Sequence, residues 1–261
     1  MIDLVKLHGL GNDFLISLTT GSAELARAAC DRHRGIGADG LILGGRTEDG
    51  GLTFQLWNAD GSEAEMSGNG MRCLAHAALD AGWVSEGEPF GALTPAGRRE
   101  VTIRRTGPGT TWAVVDMGSV KVDDSAGSIC NVGSGSVLVD VGNPHLVVLG
   151  PDPATVDVAR VGADLEQAQP GGLNVEFVTL GPGPDAVTMR VWERGVGETQ
   201  ACGTGACAAA AAFHHWGRVG RAVTVHQPGG SVAVDLRPDG TVTLAGPSEH
   251  IARCRWEVTP R

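Results

Sequence analysis

Tyrosine is absent from the 261-residue chain and aromatic side chains make up only 4% of it, which excludes a core built on large stacked rings. Basic residues are also scarce: twenty Lys and Arg face thirty Asp and Glu, a formal net charge of −10. With no Lys/Arg run to lay along a phosphate backbone, nucleic acid is not expected as a partner. No stretch reaches the roughly 20 apolar residues that span a bilayer, and the start Met1-Ile2-Asp3-Leu4-Val5-Lys6 lacks the charged-then-apolar layout of a leader peptide. A cytoplasmic protein without membrane contact is expected. The six cysteines (Cys30, Cys73, Cys130, Cys202, Cys207 and Cys254) are too sparse for a disulfide scaffold, and none forms a Cys-x-x-Cys pair.

Glycine, by contrast, is abundant at 40 residues, which points to tight turns and close backbone approaches and away from a helix bundle. Hydrophobic residues at 42% and charged residues at 19% match a chain that folds by itself. The length allows one large domain or two ordinary ones. Alternating or β-branched runs at Leu52 to Leu56, Glu100 to Arg104, Ser136 to Val141, Ala186 to Val191, Ala222 to Val225 and Val232 to Leu236 read as strands between Gly/Pro/Asp turns. Helices are predicted at Ala23 to Arg32, from Gly70 to Ala81, at Ala154 to Gln167, and over the Ala-rich Ala206 to His215. The pattern is α+β.

The chain also echoes itself. Gly11-Asn12-Asp13-Phe14 is matched by Gly142-Asn143-Pro144-His145, and Ser67-Gly68-Asn69-Gly70 by Cys202-Gly203-Thr204-Gly205 at nearly the same interval downstream. Two halves, each with an early Asn turn and a later Gly-x-Gly helix start, suggest a duplicated domain with a cleft between copies. A Gly-rich turn that runs into a helix presents N–H groups and the positive end of the helix dipole, so each half offers an anion site.

Other motifs carry less. Gly35-Ile36-Gly37-Ala38-Asp39-Gly40 has dinucleotide-fingerprint spacing, but it follows a helix-like segment and leads into a strand, the reverse of the required order. His214-His215 has no acidic or Cys partner at metal spacing, so no metal is expected. Cys202 differs from the other thiols: at a helix N-terminus its thiolate is stabilised, with a pKa expected in the range of about 3.5–7.5, suited to proton exchange near neutral pH. Cys207 reads as a packed apolar residue and Cys73 as a mid-helix one. No chemistry is expected of Cys30, Cys130 or Cys254.

These motifs carry a resemblance. The segment from Glu193-Arg194-Gly195 to Ala201-Cys202-Gly203-Thr204-Gly205 resembles the second active-site motif of the diaminopimelate epimerases, cofactor-independent enzymes of lysine and cell-wall precursor synthesis. Trp57-Asn58-Ala59-Asp60-Gly61-Ser62 through Met66-Ser67-Gly68-Asn69-Gly70-Met71-Arg72-Cys73 resembles the first. His8 to Phe14, Cys30 to His33, and Val141 to His145 are similar to further signatures.

The resemblance implies two pseudo-symmetric domains of duplicated topology, each a mixed or antiparallel sheet wrapped around a central helix. Their expected limits are 1–113 with 247–261, and 114–246. It also implies a homodimer and epimerisation of LL- to meso-2,6-diaminopimelate without a cofactor, one thiolate removing the α-proton and a second thiol returning one to the opposite face. Cys202 matches one of those cysteines. Asn12, Asn58, Asn143, Asn174 and Arg194 would hold the substrate, Arg194 gripping the distal carboxylate as a fork. The N–H groups around Gly68-Asn69 and Gly203-Thr204 would stabilise charge on the α-carboxylate, and His145 and Glu193 would tune the thiols, Glu193 also touching substrate.

One position departs from the family pattern: Ser67 stands where the first cysteine is expected, and a hydroxyl is far less acidic than a thiol. Gly40, where some members have Gln, is a smaller difference. Ser67 admits three accounts: a replacement introduced to trap a complex, an assisted serine that relays the proton, or a changed reaction. The rival functions are therefore a racemase or dehydratase of another amino acid and a catalytically silent amino-acid binder.

Overall fold

The computed structural model describes residues 1–64, 66–124, 134–150 and 152–257; Cys130 lies outside them. The chain forms two compact units, Met1–Val115 with Gly246–Arg261, and Asp116–Ala245. The fold is the α+β class expected from the sequence.

The first unit contains β1 (Ile2–Gly9), β2 (Asn12–Ser17), α1 (Ala23–Cys30), β3 (Gly40–Arg46), β4 (Leu52–Asn58), β5 (Glu63–Ala64), α2 (Gly68–Asp80), β6 (Phe90–Thr94), β7 (Gly97–Gly107) and most of β8 (Thr110–Ser119). The second contains β9 (Lys121–Asp123), β10 (Gly135–Asp140), β11 (Pro144–Leu149), α3 (Val158–Ala168), β12 (Asn174–Leu180), β13 (Ala186–Glu193), β14 (Gly197–Thr199), α4 (Gly203–His215), β15 (Ala222–Gln227) and β16 (Gly230–Leu236). The long β17 (Thr241–Trp256) pairs by its first part with β16 and by its last with β1.

Strand for strand, the second unit repeats the first. β1 and β2 are antiparallel, β2 and β3 parallel, β3 and β4 antiparallel, β4 and β6 parallel. The series β10, β11, β12, β13 and β15 shows the same alternation. The registers fix equivalent positions. Phe14 faces Gly40 as His145 faces Asn174, and Trp57 faces Glu63 as Trp192 faces Glu198. Counting along the strands then matches Ile42 with Glu176, Asn58 with Glu193, and Ser67 with Cys202.

Each unit carries one amphipathic helix and one helix enclosed over most of its length. α1 lays Leu25, Ala26 and Ala29 against Leu15, Leu41 and Trp57, and α3 lays Val158 and Leu165 against Leu146, Val175 and Phe177. α2 is buried from Gly68 to Ala78 and α4 from Gly205 to Phe213; the small apolar residues of α4 leave no polar stripe, whereas α2 encloses the polar side chains of Asn69, Arg72 and His76. α1 stops at Cys30, where Asp31 turns extended and its carboxylate accepts from the N–H groups of His33 and Arg34. The helix predicted over Ala154 to Gln167 divides: Pro153–Thr155 is a 3₁₀ turn, Val156 is extended, and Asp157 caps α3 by accepting from the Arg160 N–H at 3.3 Å. Gly35 to Gly40 links α1 to β3, the order that excludes a dinucleotide loop.

Candidate active site

The two Gly-x-Gly motifs open the two enclosed helices. Ser67 is the N-cap of α2, its hydroxyl accepting from the Gly70 N–H at 3.0 Å; Cys202 is the N-cap of α4, its Sγ accepting from the Gly205 N–H at 3.4 Å. Both caps have extended backbone (φ −137°, ψ 122° and φ −122°, ψ 120°), so each directs its heteroatom at the positive end of the helix. Glycine is required three residues on. A Cβ at Gly70 would sit 2.8 Å from Ile42 Cδ1 and 3.2 Å from Ser67 Cβ, and one at Gly205 would sit 2.7 Å from Glu176 Oε1 and 3.3 Å from Cys202 Sγ.

In the first unit Asn12 opens β2 and Asn58 closes β4. The Asn69 amide donates to Asn12 Oδ1 at 3.1 Å, Asn12 Nδ2 donates to Asp39 Oδ2 at 2.8 Å, and Arg72 donates to Asn69 Oδ1 at 2.8 Å. Asn58 Nδ2 donates to Ser62 Oγ at 3.0 Å. Beneath Asn12 lies an ionic group absent from the sequence reading. Arg32 grips both oxygens of Asp13 at 2.7 and 3.2 Å and reaches Asp39 at 2.7 Å, while Lys6 approaches Asp13 at 3.0 Å. Burial raises the Asp13 pKa, but the hydrogen bonds from Arg32 and Lys6 outweigh it and hold this carboxyl below its ordinary value. Asp13 and Arg32 stand inside quoted motifs; their pairing depends on a long-range contact that spacing does not reveal.

In the second unit Cys202 is only 5% exposed. Its N–H donates to Gln227 Oε1 at 2.8 Å, and its Sγ lies 3.5 Å from Thr204 Oγ1. The Glu193 carboxyl accepts a hydrogen bond from the Thr199 hydroxyl and is an electrostatic neighbour of Cys202. Desolvation raises the Glu193 pKa above its ordinary value. His145 is fully buried, its Nδ1 2.6 Å from Glu176 Oε1 and its Nε2 3.0 Å from Asn143 Oδ1. Asn174 Nδ2 donates to the Pro144 carbonyl at 3.2 Å and its Oδ1 accepts from the Arg194 N–H at 3.0 Å. The exposed Arg194 guanidinium donates to the Gly171 carbonyl at 3.2 Å. Cys202, Glu193 and Thr204 thus form one cluster, His145 with Asn143 a second, and Asn174 with Arg194 a third. Glu176 and Gln227 went unnoticed in the sequence, since neither belongs to a local motif.

The expected low pKa of Cys202 is corrected by the structure. Burial, with the carboxylates of Glu193 and Glu176 beside it, pushes this thiol well above its ordinary value; the Thr204 hydroxyl and the Gly205 N–H only partly oppose them. A helix terminus stabilises a thiolate open to it, but here desolvation and like charge win. Cys202 therefore rests as a thiol. A titration of thiolate ultraviolet absorbance, wild type minus Cys202→Ala, is expected to show no step below the ordinary thiol pKa of about 8.5; a step near neutral pH would refute this. Cys73 and Cys30 are likewise raised by burial, to about 11 and about 12. Cys73 accepts a hydrogen bond from Ser248, and Cys207 is fully buried in α4. Among the described residues no group of three or more His, Cys, Asp or Glu side chains is arranged to hold a metal ion.

Similarity to known proteins covers almost the whole chain. The sequence profile of the family described as diaminopimelate epimerase matches residues 4–122 and 137–251. Diaminopimelate epimerase from Desulforudis audaxviator is 40% identical over 279 residues, covering 98% of this chain and 99% of that one. The enzyme of the same name from Desulfitobacterium hafniense is 38% identical over 274 residues, covering 96% of each. Among solved structures, a probable proline racemase from Agrobacterium radiobacter superposes with a TM-score of 0.79 at 18% identity, covering 100% of this chain and 94% of that one. A phenazine biosynthesis protein of the PhzF family from Bacillus anthracis superposes with a TM-score of 0.74 at 15% identity, covering 98% and 99%. At such identities these two structures speak for the fold.

Proposed function

Because the chain belongs to the diaminopimelate epimerase family, we propose that it interconverts LL- and meso-diaminopimelate by moving the α-proton, with Cys202 as one acid/base and Ser67 in the seat of its partner. The observation that carries the reading is the Cys202–Glu193 pair at the mouth of α4. A thiol that rests protonated is ready to deliver a proton to a planar carbanion. To act as a base it must first lose that proton, and the neighbouring Glu193 carboxylate, whose own proton affinity is raised, is the group proposed to take it.

The α-proton of an amino acid is weakly acidic, and the reading uses no cofactor to spread the carbanion's charge. The positive end of a helix supplies a fixed dipole for the α-carboxylate instead, and each unit offers one, at the start of α2 and of α4. Asn12, Asn58, Asn143 and Asn174 provide amide groups for the substrate, with Gly68, Asn69, Gly203 and Thr204 as main-chain contacts. Arg194 remains largely open to solvent and can form a fork on the distal carboxylate.

The weak point of the cycle is Ser67. Its cap geometry repeats that of Cys202, but Asn58 occupies the position equivalent to Glu193 and bonds to Ser62. Among the described residues no carboxylate is hydrogen-bonded to the Ser67 hydroxyl, and an unassisted hydroxyl is a poor base toward carbon. With LL-diaminopimelate in heavy water, deuterium is expected at the α-carbon faster than meso product appears. Label with no inversion would reduce the function to one-base exchange, and neither label nor inversion would leave a binder. Among the described residues no helix is long and apolar enough to cross a membrane. The reading includes a cytoplasmic homodimer, which equilibrium sedimentation tests.

A further inference from the structure

Repetition makes the chain its own control. In the first unit, the positions beneath the start of α2 hold Phe14 and Ile42, both buried and apolar. At the equivalent positions beneath α4 the second unit holds His145 and Glu176, both with 0% exposure and joined at 2.6 Å. The surroundings are otherwise alike: a parallel strand pair, an N-capped helix, and a glycine in its first turn that leaves room for the side chain below, Ile42 in one case and Glu176 in the other. The fold therefore does not need charge at this layer, since the same topology closes over hydrocarbon.

A buried acid–base pair is also a poor way to gain stability, because desolvation offsets the attraction and an apolar pair of similar volume is often as good or better. Glu176 is the sharper case. Its Oε1 accepts from His145, and its Oε2 has no hydrogen-bond partner among the described residues. A carboxylate kept only for structure is normally satisfied at both oxygens. What it gains here is the orientation of the ring: with Nδ1 turned onto Glu176, Nε2 meets Asn143 Oδ1 at 3.0 Å. That contact engages Asn143 through its amide oxygen and not through its amide nitrogen.

We propose that Glu176 is a positioning residue of the epimerisation: from beneath the start of α4 it fixes the His145 ring, and through it the amide of Asn143, in the orientation that the reaction uses. The inference rests on the epimerase reading for its kinetic consequences, and on the Glu176–His145 contact alone for its spectroscopic one. The carboxylate takes no proton from substrate; it acts through His145.

Three measurements on the full chain test this. By proton NMR, the wild type is expected to show a far-downfield imidazole N–H resonance, assigned by its loss in His145→Phe and absent in Glu176→Gln. Its absence from the wild type or survival in Glu176→Gln overturns the proposal. Glu176→Gln is expected to lower kcat by about 10–100-fold, the scale at which groups behind a functional imidazole act, with KM changed far less; an unchanged kcat overturns it. Finally, Glu176→Ile is expected to lower kcat in the wild type but to cost nothing more in a His145→Phe background, whose double variant restores the apolar pair of the first unit and keeps thermal stability. Equal losses in both backgrounds would show that Glu176 acts independently of His145 and overturn the assignment. If the wild type exchanges no α-proton at all, the epimerase reading fails, while the resonance still reports on Glu176.

Discussion

Replacing Cys202 by alanine is expected to slow α-deuterium exchange into diaminopimelate by about 10²–10⁴-fold, the range that a positioned acid or base supplies. In the proposed cycle the sulfur carries the proton; it accepts from the Gly205 N–H at 3.4 Å and has the Glu193 carboxyl as an electrostatic neighbour. Glu193 is a carboxyl held by the Thr199 hydroxyl, so its own side chain is not expected to replace the missing sulfur. Binding is expected to persist within a few-fold by calorimetry, because Asn143, Asn174 and Arg194 belong to hydrogen-bonded groups that do not include Cys202. Loss of the cap costs the helix about 0.5–2 kcal/mol at most, visible as a lower Tm. Exchange that survives at the wild-type rate would remove Cys202 from the chemistry. Loss of binding in parallel with exchange would make it a structural cap.

Ser67→Cys is expected to act in the opposite direction, raising the rate of inversion by about 10²-fold or more while changing α-exchange much less. The substitution exchanges one heteroatom at a cap whose geometry the second unit already builds around sulfur. Its cost to α2 is expected to stay within about 1 kcal/mol. A selective gain in inversion would identify the hydroxyl as the slow partner in a two-base cycle. Equal rates in the two proteins would mean that Ser67 is adapted to the reaction the protein performs, and would favour the racemase or dehydratase alternatives. The readouts are chiral separation of LL and meso isomers and mass-spectrometric label content on the same samples.

The strands β4, β7, β10, β13, β15 and β16 and the two enclosed helices were legible because their signals are local. Glycine turns flank β-branched runs, and Ser67 and Cys202 stand before glycine where a cap is needed. The division of the third helix was not, since Pro153 and Asp157 each begin a helical turn and only the extended Val156 between them separates the two. The Asp13–Arg32–Asp39–Lys6 group was hidden for a different reason: each residue is ordinary in its own segment, and the ionic contacts exist only after β1, β2 and the loop before β3 are brought together.

Read alone, the sequence determined the family, the duplicated plan, and which side chains stand at the two helix starts, because these are written in residue type and spacing. Tertiary structure decided their electrical state. Whether Cys202 rests as thiol or thiolate depends on how deeply α4 buries it and on Glu176 and Glu193 arriving from β12 and β13. Solvation and Coulomb energies depend on distance through space, and spacing along the chain does not fix that distance.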